Sequence, residues 1–173
     1  MAVTEVFAMK NKNATCTVAA LIWSRMVLMH QTPRADQFGE NDTALASLMY
    51  TVGVTAMDSD IIAGASRGAN LAVVESSKGN NHISSTEIAT KFSRVEPHVG
   101  IFWNSFHTMG YAYGHLKKHY FDNNIGLFSA KLTADIVAKM EAVRTGTAPD
   151  GYGGVPWEGY AILKLPPNLF KLK

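Results

Sequence analysis

A single cysteine among 173 residues, Cys16, leaves no partner for an internal disulfide and excludes a cysteine-based metal cluster. Charge is scarce as well. Asp, Glu, Lys and Arg make up 17% of the chain, against roughly 25% in ordinary soluble domains. That shortfall fits a subunit whose outer surface is partly covered by neighbours. The net charge of +2 is too small to mark a nucleic-acid-binding protein by itself. There is no H-E-x-x-H, no glycine-rich phosphate loop, no Rossmann or Walker motif, no internal repeat and no low-complexity tract. The most apolar run, Ala14 to Met29, is broken by Arg25 and is short for a membrane span, and no small-residue cleavage site follows it. It reads as a buried core helix with Cys16 as a small hydrophobe inside it. No signal peptide or membrane contact is expected, and the localisation stays open between a virion and the cytoplasm.

Aromatic residues are plentiful. The stretch from Pro97 to Phe121 carries Phe102, Trp103, Phe106, Tyr111, Tyr113 and Tyr120 together with His107, His115 and His119. Val99, Phe102, Trp103, Phe106, Met109, Tyr113, Leu116 and Tyr120 draw one apolar stripe at helical spacing, with Pro97 suited to a first helical turn. This predicts a long central helix. Gly110 and Gly114, one turn apart, each cost a helix about 1 kcal/mol relative to Ala, so another backbone is expected to cross there. Further helices are predicted at 14–30, 43–57 (N-cap Asp42), 61–75, 84–95 (a capping box from Ser84 and Glu87) and 127–145, with Gly146 as C-cap. Asp122-Asn123-Asn124 ends the central helix. The expected fold is therefore mainly α: a five- or six-helix bundle around the 97–121 helix. Residues 1–13 form an N-terminal arm, 14–147 the helical core domain and 148–173 an extended C-terminal arm.

The carboxyl arm carries the functional expectation. Pro149, Gly151, Gly153, Gly154, Pro156 and Gly159 exclude a helix there, yet Tyr152, Trp157, Tyr160 and Phe170 supply spaced anchors. An anchored arm reaching a neighbouring copy suits a non-enzymatic, self-assembling structural subunit of the viral coat, nucleocapsid or phage virion type. Gly110, Gly114, Tyr152, Trp157, Tyr160 and Phe170 are then the subunit contacts, and other copies of the chain are the expected partner. Acidic residues dominate 31–62 and basic ones 63–120, which suits head-to-tail docking of copies. Lys91, Arg94, Lys117 and Lys118, interleaved with Phe92, His115 and Tyr120, are candidates for holding RNA or DNA.

Two other chemistries have sequence support. Gly64-Ala65-Ser66-Arg67-Gly68 matches the G-x-S-x-G nucleophile elbow, which makes a small serine hydrolase on Ser66 the main alternative. However, no Asp lies between Ser66 and the last histidine, His119, to complete a triad in that order. His115 and His119 are spaced to share a metal on a helix face, but no third ligand accompanies them. No metal, cofactor or small-molecule substrate is expected. A small adaptor or inhibitor gripping one partner protein is the remaining alternative.

Overall fold

The computed structural model describes residues 3–9, 16–38, 66–77, 82–147 and 151–167. Its framework is a seven-stranded antiparallel sheet. The strands are β1 (Thr4–Ala8), β2 (Ala72–Ser76), β3 (Val99–Trp103), β4 (Thr108–Tyr113), β5 (Lys118–Asp122), β6 (Gly126–Ala130) and β7 (Gly159–Lys164). They lie in the order β1-β6-β5-β4-β3-β7-β2. Helix α1 (Cys16–Leu28) covers one face, while α2 (Ser85–Arg94) and α3 (Thr133–Thr145) cover the other.

The expected helical bundle is thus replaced by a sheet, and the cause lies in 97–121. Strand side chains alternate between faces. Val99, Ile101 and Trp103 join the core under α1, whereas Phe102, Met109, Tyr111 and Tyr120 join the core under α2 and α3. Because both faces are buried, polar residues do not mark alternate positions, and the stripe read as helical is two apolar faces superimposed. Turns at 104–107 and 114–117 separate the three strands.

The arms are corrected too. Residues 4–8 pair with β6 at one edge of the sheet, and Gly159–Lys164 lies between β3 and β2 inside it. The predicted helix at 127–145 divides into β6 and α3. Of the predicted 61–75 helix, residues 66–68 are helical and 72–76 are strand, with the remainder before 66 outside the described residues, as is all of 43–57. Two readings stand because their signals are local: α1 occupies most of 14–30, and α2 opens on the capping box of Ser84 and Glu87.

Gly110 takes a different role from the one expected. The indole of Trp23, on α1, occupies the space that a side chain at this residue would fill. A Cβ there would sit 2.4 Å and 2.7 Å from two indole carbons. Trp23 is fully buried and stacks on Phe121 with ring centres 5.5 Å apart. Truncating a buried ring of this kind costs about 3–5 kcal/mol. This contact sets how closely α1 approaches the sheet, and α1 begins at Cys16.

Candidate active site

Cys16 is the first residue of α1, where backbone N–H groups lack partners within the helix and the helix dipole favours negative charge. His107 ends the β3–β4 turn, and Asp122 ends β5. Antiparallel pairing of β4 with β5, from Tyr113 opposite Lys118 to Gly110 opposite Phe121, brings the start of β4 beside the end of β5. His107 and Asp122 meet there, Nε2 to Oδ1 at 2.7 Å, and both are buried. The Cys16 thiol lies close enough to the His107 imidazole for each to shift the titration of the other. With Nε2 occupied by Asp122, Nδ1 is the imidazole nitrogen left for the thiol.

The surroundings hold this line in place. Thr17 and Thr108, each next to a member of it, share a buried hydroxyl–hydroxyl bond of 2.9 Å that ties α1 to β4. Asn104 Oδ1 accepts the N–H groups of Phe106 and His107 at 2.9 and 3.0 Å, and its own N–H donates to the His107 carbonyl, which fixes the turn. Asp122 accepts four bonds. Oδ1 takes His107 Nε2 and the Asn124 N–H at 2.9 Å, and Oδ2 takes the hydroxyls of Tyr120 at 2.9 Å and Tyr152 at 2.8 Å. A fully buried carboxylate is tolerable when its lone pairs are satisfied in this way.

The electrostatics follow from these contacts. Burial alone would push the Cys16 thiol up, but the hydrogen bond and charge of His107, the Thr108 backbone and the Thr17 hydroxyl bring it below its ordinary 9.0. Burial alone would depress His107, yet the charge and hydrogen bond of Asp122, helped by Cys16, raise it to about 10. Asp122 is lowered despite its burial, chiefly by the charge and hydrogen bond of His107. The shifts of Cys16 and His107 both run toward a thiolate beside an imidazolium, the direction that activates a thiol as a nucleophile.

Sequence reasoning placed Cys16 in the core and used Asp122 only as a helix terminator. The available signal was a lone cysteine opening a helix after a polar segment, followed by a histidine and then an aspartate.

The other candidate residues are dispersed. Gly114 closes the β4–β5 turn, its N–H donating to Lys117 at 2.9 Å. Tyr152 lies over His107, Trp157 donates to Ser85 at 2.7 Å, and the Tyr160 hydroxyl donates to Glu75 at 2.6 Å. Phe170 is outside the described residues. Lys91 and Arg94 line a cleft of about 620 Å³ beside α2, whereas Lys117 lines another of about 480 Å³ beyond β6. Lys118 is buried, donating to the Lys131 carbonyl at 3.1 Å and lying over the Tyr113 ring. His115 is exposed at the far end of β4 from His107. Among the described residues no group of three or more His, Cys, Asp or Glu side chains is placed to hold a metal ion, and no helix is long and apolar enough to cross a membrane.

No family model matches the chain, and no curated protein matches it. Among solved structures it is similar to the Pseudomonas avirulence protein AvrPphB, with a TM-score of 0.55 at 13% identity over 94% of this chain and 97% of that one. The likeness is one of fold. A sheet-rich fold of this kind overturns the expected helical coat or virion subunit and, with the Cys16–His107–Asp122 line, the expectation of a non-enzymatic protein. The two alternatives fall with it. Ser66 is fully buried with no hydrogen-bond partner for its hydroxyl among the described residues, unlike an elbow serine standing clear of a sheet, and the adaptor reading gives no account of the Cys16–His107–Asp122 line.

Proposed function

We propose that this protein is a cysteine-dependent acyl-transfer enzyme, a thiol hydrolase acting on peptide-type amide bonds. The observation that carries the reading is the Cys16–His107–Asp122 line, with its nucleophile at a helix N-terminus and its acid buried and saturated with donors. The same constellation of nucleophile, imidazole and orienting carboxyl or amide recurs on unrelated folds that perform acyl transfer.

Each residue has a role in that chemistry. Cys16 Sγ attacks the carbonyl carbon, and the oxyanion forms beside the N-terminal end of α1. His107 passes its proton from Nδ1 to the leaving amine, which departs as a thioester forms on Cys16. It then takes a proton from the water that attacks the thioester; the C–S bond breaks, the acid is released and the thiolate–imidazolium pair is restored. Asp122 keeps the imidazole oriented throughout and stabilises its charged form whenever the proton is on it.

The test exploits Cys16 being the sole cysteine. Labelling with an epoxysuccinyl peptide should add one probe mass at Cys16, and fluorescent casein should be cleaved by the intact protein but not by Cys16→Ala. A Cys16 that is alkylated only as an ordinary thiol near pH 9, with casein untouched, would remove the proposal.

A further inference from the structure

Of the residues that bond Asp122, Tyr152 also contacts the His107 ring. Tyr152 stacks on the His107 imidazole, ring centres 5.0 Å apart and planes within 22°, while its hydroxyl donates to Asp122 Oδ2. It therefore touches the two partners of Cys16 at once. We infer that Tyr152 is a positioning residue of the active site: its ring fixes the plane of the imidazole and excludes water from the His107–Asp122 bond, and its hydroxyl holds the carboxylate rotamer that presents Oδ1 to Nε2. This rests on the thiol-enzyme reading given above.

The chain invests heavily in the location of this side chain. Tyr152 follows α3 in a glycine-rich loop whose N–H groups cap the carbonyls at the end of that helix. Tyr152 donates to Val143 at 3.1 Å, Gly153 to Gly146 at 2.9 Å and Gly154 to Arg144 at 2.8 Å. Gly153 and Gly154 adopt φ of +62° and +83°, the left-handed region where other residues are strained. Arg144 forks onto Glu141 and donates to the Gly154 carbonyl at 2.7 Å, and Glu141 in turn bonds Ser85, the acceptor of Trp157. The loop is thus bolted to both helices on that face, and Tyr152 reaches His107 from a rigid base. Burial and the neighbouring carboxylate push the phenol far above its ordinary 10.0, so it stays protonated and remains a donor.

A purely packing role and a positioning role differ in what they do to titration. Stacking that excludes water strengthens the attraction of His107 to both Asp122 and the thiolate. Loosening it weakens the ion pair, so the thiol is harder to ionise and the imidazolium easier to deprotonate.

The experiment is the pH profile of Cys16 alkylation by iodoacetamide in the full chain, for the wild type, Tyr152→Phe and Tyr152→Ala, with thermal melts as a folding control. The wild-type rate should step up with pH at thiol ionisation, the lower limb, and change again where the imidazolium loses its proton and leaves a free thiolate, the upper limb. Tyr152→Ala should bring the two limbs closer together, each moving inward by about one pH unit, and should slow the reaction about tenfold near the lower limb. Tyr152→Phe keeps the stack and should fall between the two. Unmoved limbs in both variants, or a uniform fall in rate at every pH, overturn the inference. If Tyr152→Ala fails to fold, the limbs of Tyr152→Phe decide in the same way. The two failures are distinguishable: a wild-type profile with one ordinary thiol ionisation defeats the thiol-enzyme reading, whereas a low wild-type limb with unmoved variants defeats only the role of Tyr152.

Discussion

Replacing Asp122 with Asn changes one atom and should dismantle the activated thiol. In the native site Oδ1 and Oδ2 together accept four donors. An amide placed with its oxygen toward His107 and Asn124 turns its NH₂ toward the hydroxyls of Tyr120 and Tyr152, both of which now donate. Those hydroxyls must rotate or go unpaired, at about 1–3 kcal/mol for each unsatisfied buried group. The larger effect is on charge. His107 loses the group that raises it to about 10, and the burial that opposes protonation is left to act alone. A neutral His107 no longer lowers Cys16 by its charge, and with burial persisting the thiol moves back toward its ordinary 9.0. A thiol at that value is only about 3% ionised at about pH 7.5. The greater nucleophilicity of a more basic thiolate recovers part of the loss, so iodoacetamide alkylation should slow about tenfold and its pH midpoint should move up toward 9.0. Turnover of casein should fall further, by about 10²–10⁴, as when the carboxylate of a Ser-His-Asp triad is replaced by an amide. Asp122→Asn that alkylates at the wild-type rate with the wild-type midpoint would refute the claim that this carboxylate activates the thiol.

Gly110→Ala should destabilise the protein by about 1–3 kcal/mol in urea unfolding, because its methyl would overlap the Trp23 indole; adding Trp23→Leu to the same chain should recover part of that, and a neutral Gly110→Ala would count against the packing account. Thr17→Val removes the buried bond to Thr108 and should cost about 1 kcal/mol, with slower casein cleavage at unchanged Cys16 exposure to a small alkylating agent. Cys16→Ala should alter the pH dependence of the melting temperature. His107 is raised from 6.5 to about 10 on folding, so its stabilisation is complete below 6.5 and is lost as pH climbs toward 10. Cys16 is lowered from 9.0, so its contribution has the opposite sign, present above 9.0 and lost as pH falls through its folded value. The two oppose each other in the wild type, and without the thiol the melting temperature should decline more steeply from pH 6.5 to 10.

What the sequence disclosed about the fold depended on the range of each signal. The capping box of Ser84 and Glu87 lies within four residues, and α1 is one apolar run; both are legible without tertiary information. The strands of 97–121 are not, because Phe102 and Trp103 are adjacent in sequence and buried on opposite faces. Composition held a partial warning: valine, isoleucine and aromatic residues favour strands, and Asn104-Ser105, Gly114-His115 and Asp122-Asn123-Asn124 recur at the spacing of hairpin turns. The site was hidden more deeply. His107 and Asp122 are brought together by strand register, and Cys16 reaches them only because Trp23 seats α1 on Gly110.

The glycine- and proline-rich carboxyl region shows how an order that looked borrowed can be internal. Its residues from Gly159 to Lys164 pair on both sides within the sheet, and the polar atoms of Tyr152, Trp157 and Tyr160 bond to Asp122, Ser85 and Glu75 of the same chain. The bond to Asp122 carries the functional argument. Among the described residues, the cationic partner of this buried carboxylate is His107. An unpaired charge at that depth would cost several kcal/mol, and a neutral acid would leave donors facing donors. The four donors and the raised His107 together keep Asp122 ionised, and a proton held on the imidazole beside Cys16, at the start of a helix, lowers that thiol in the direction the proposed chemistry requires.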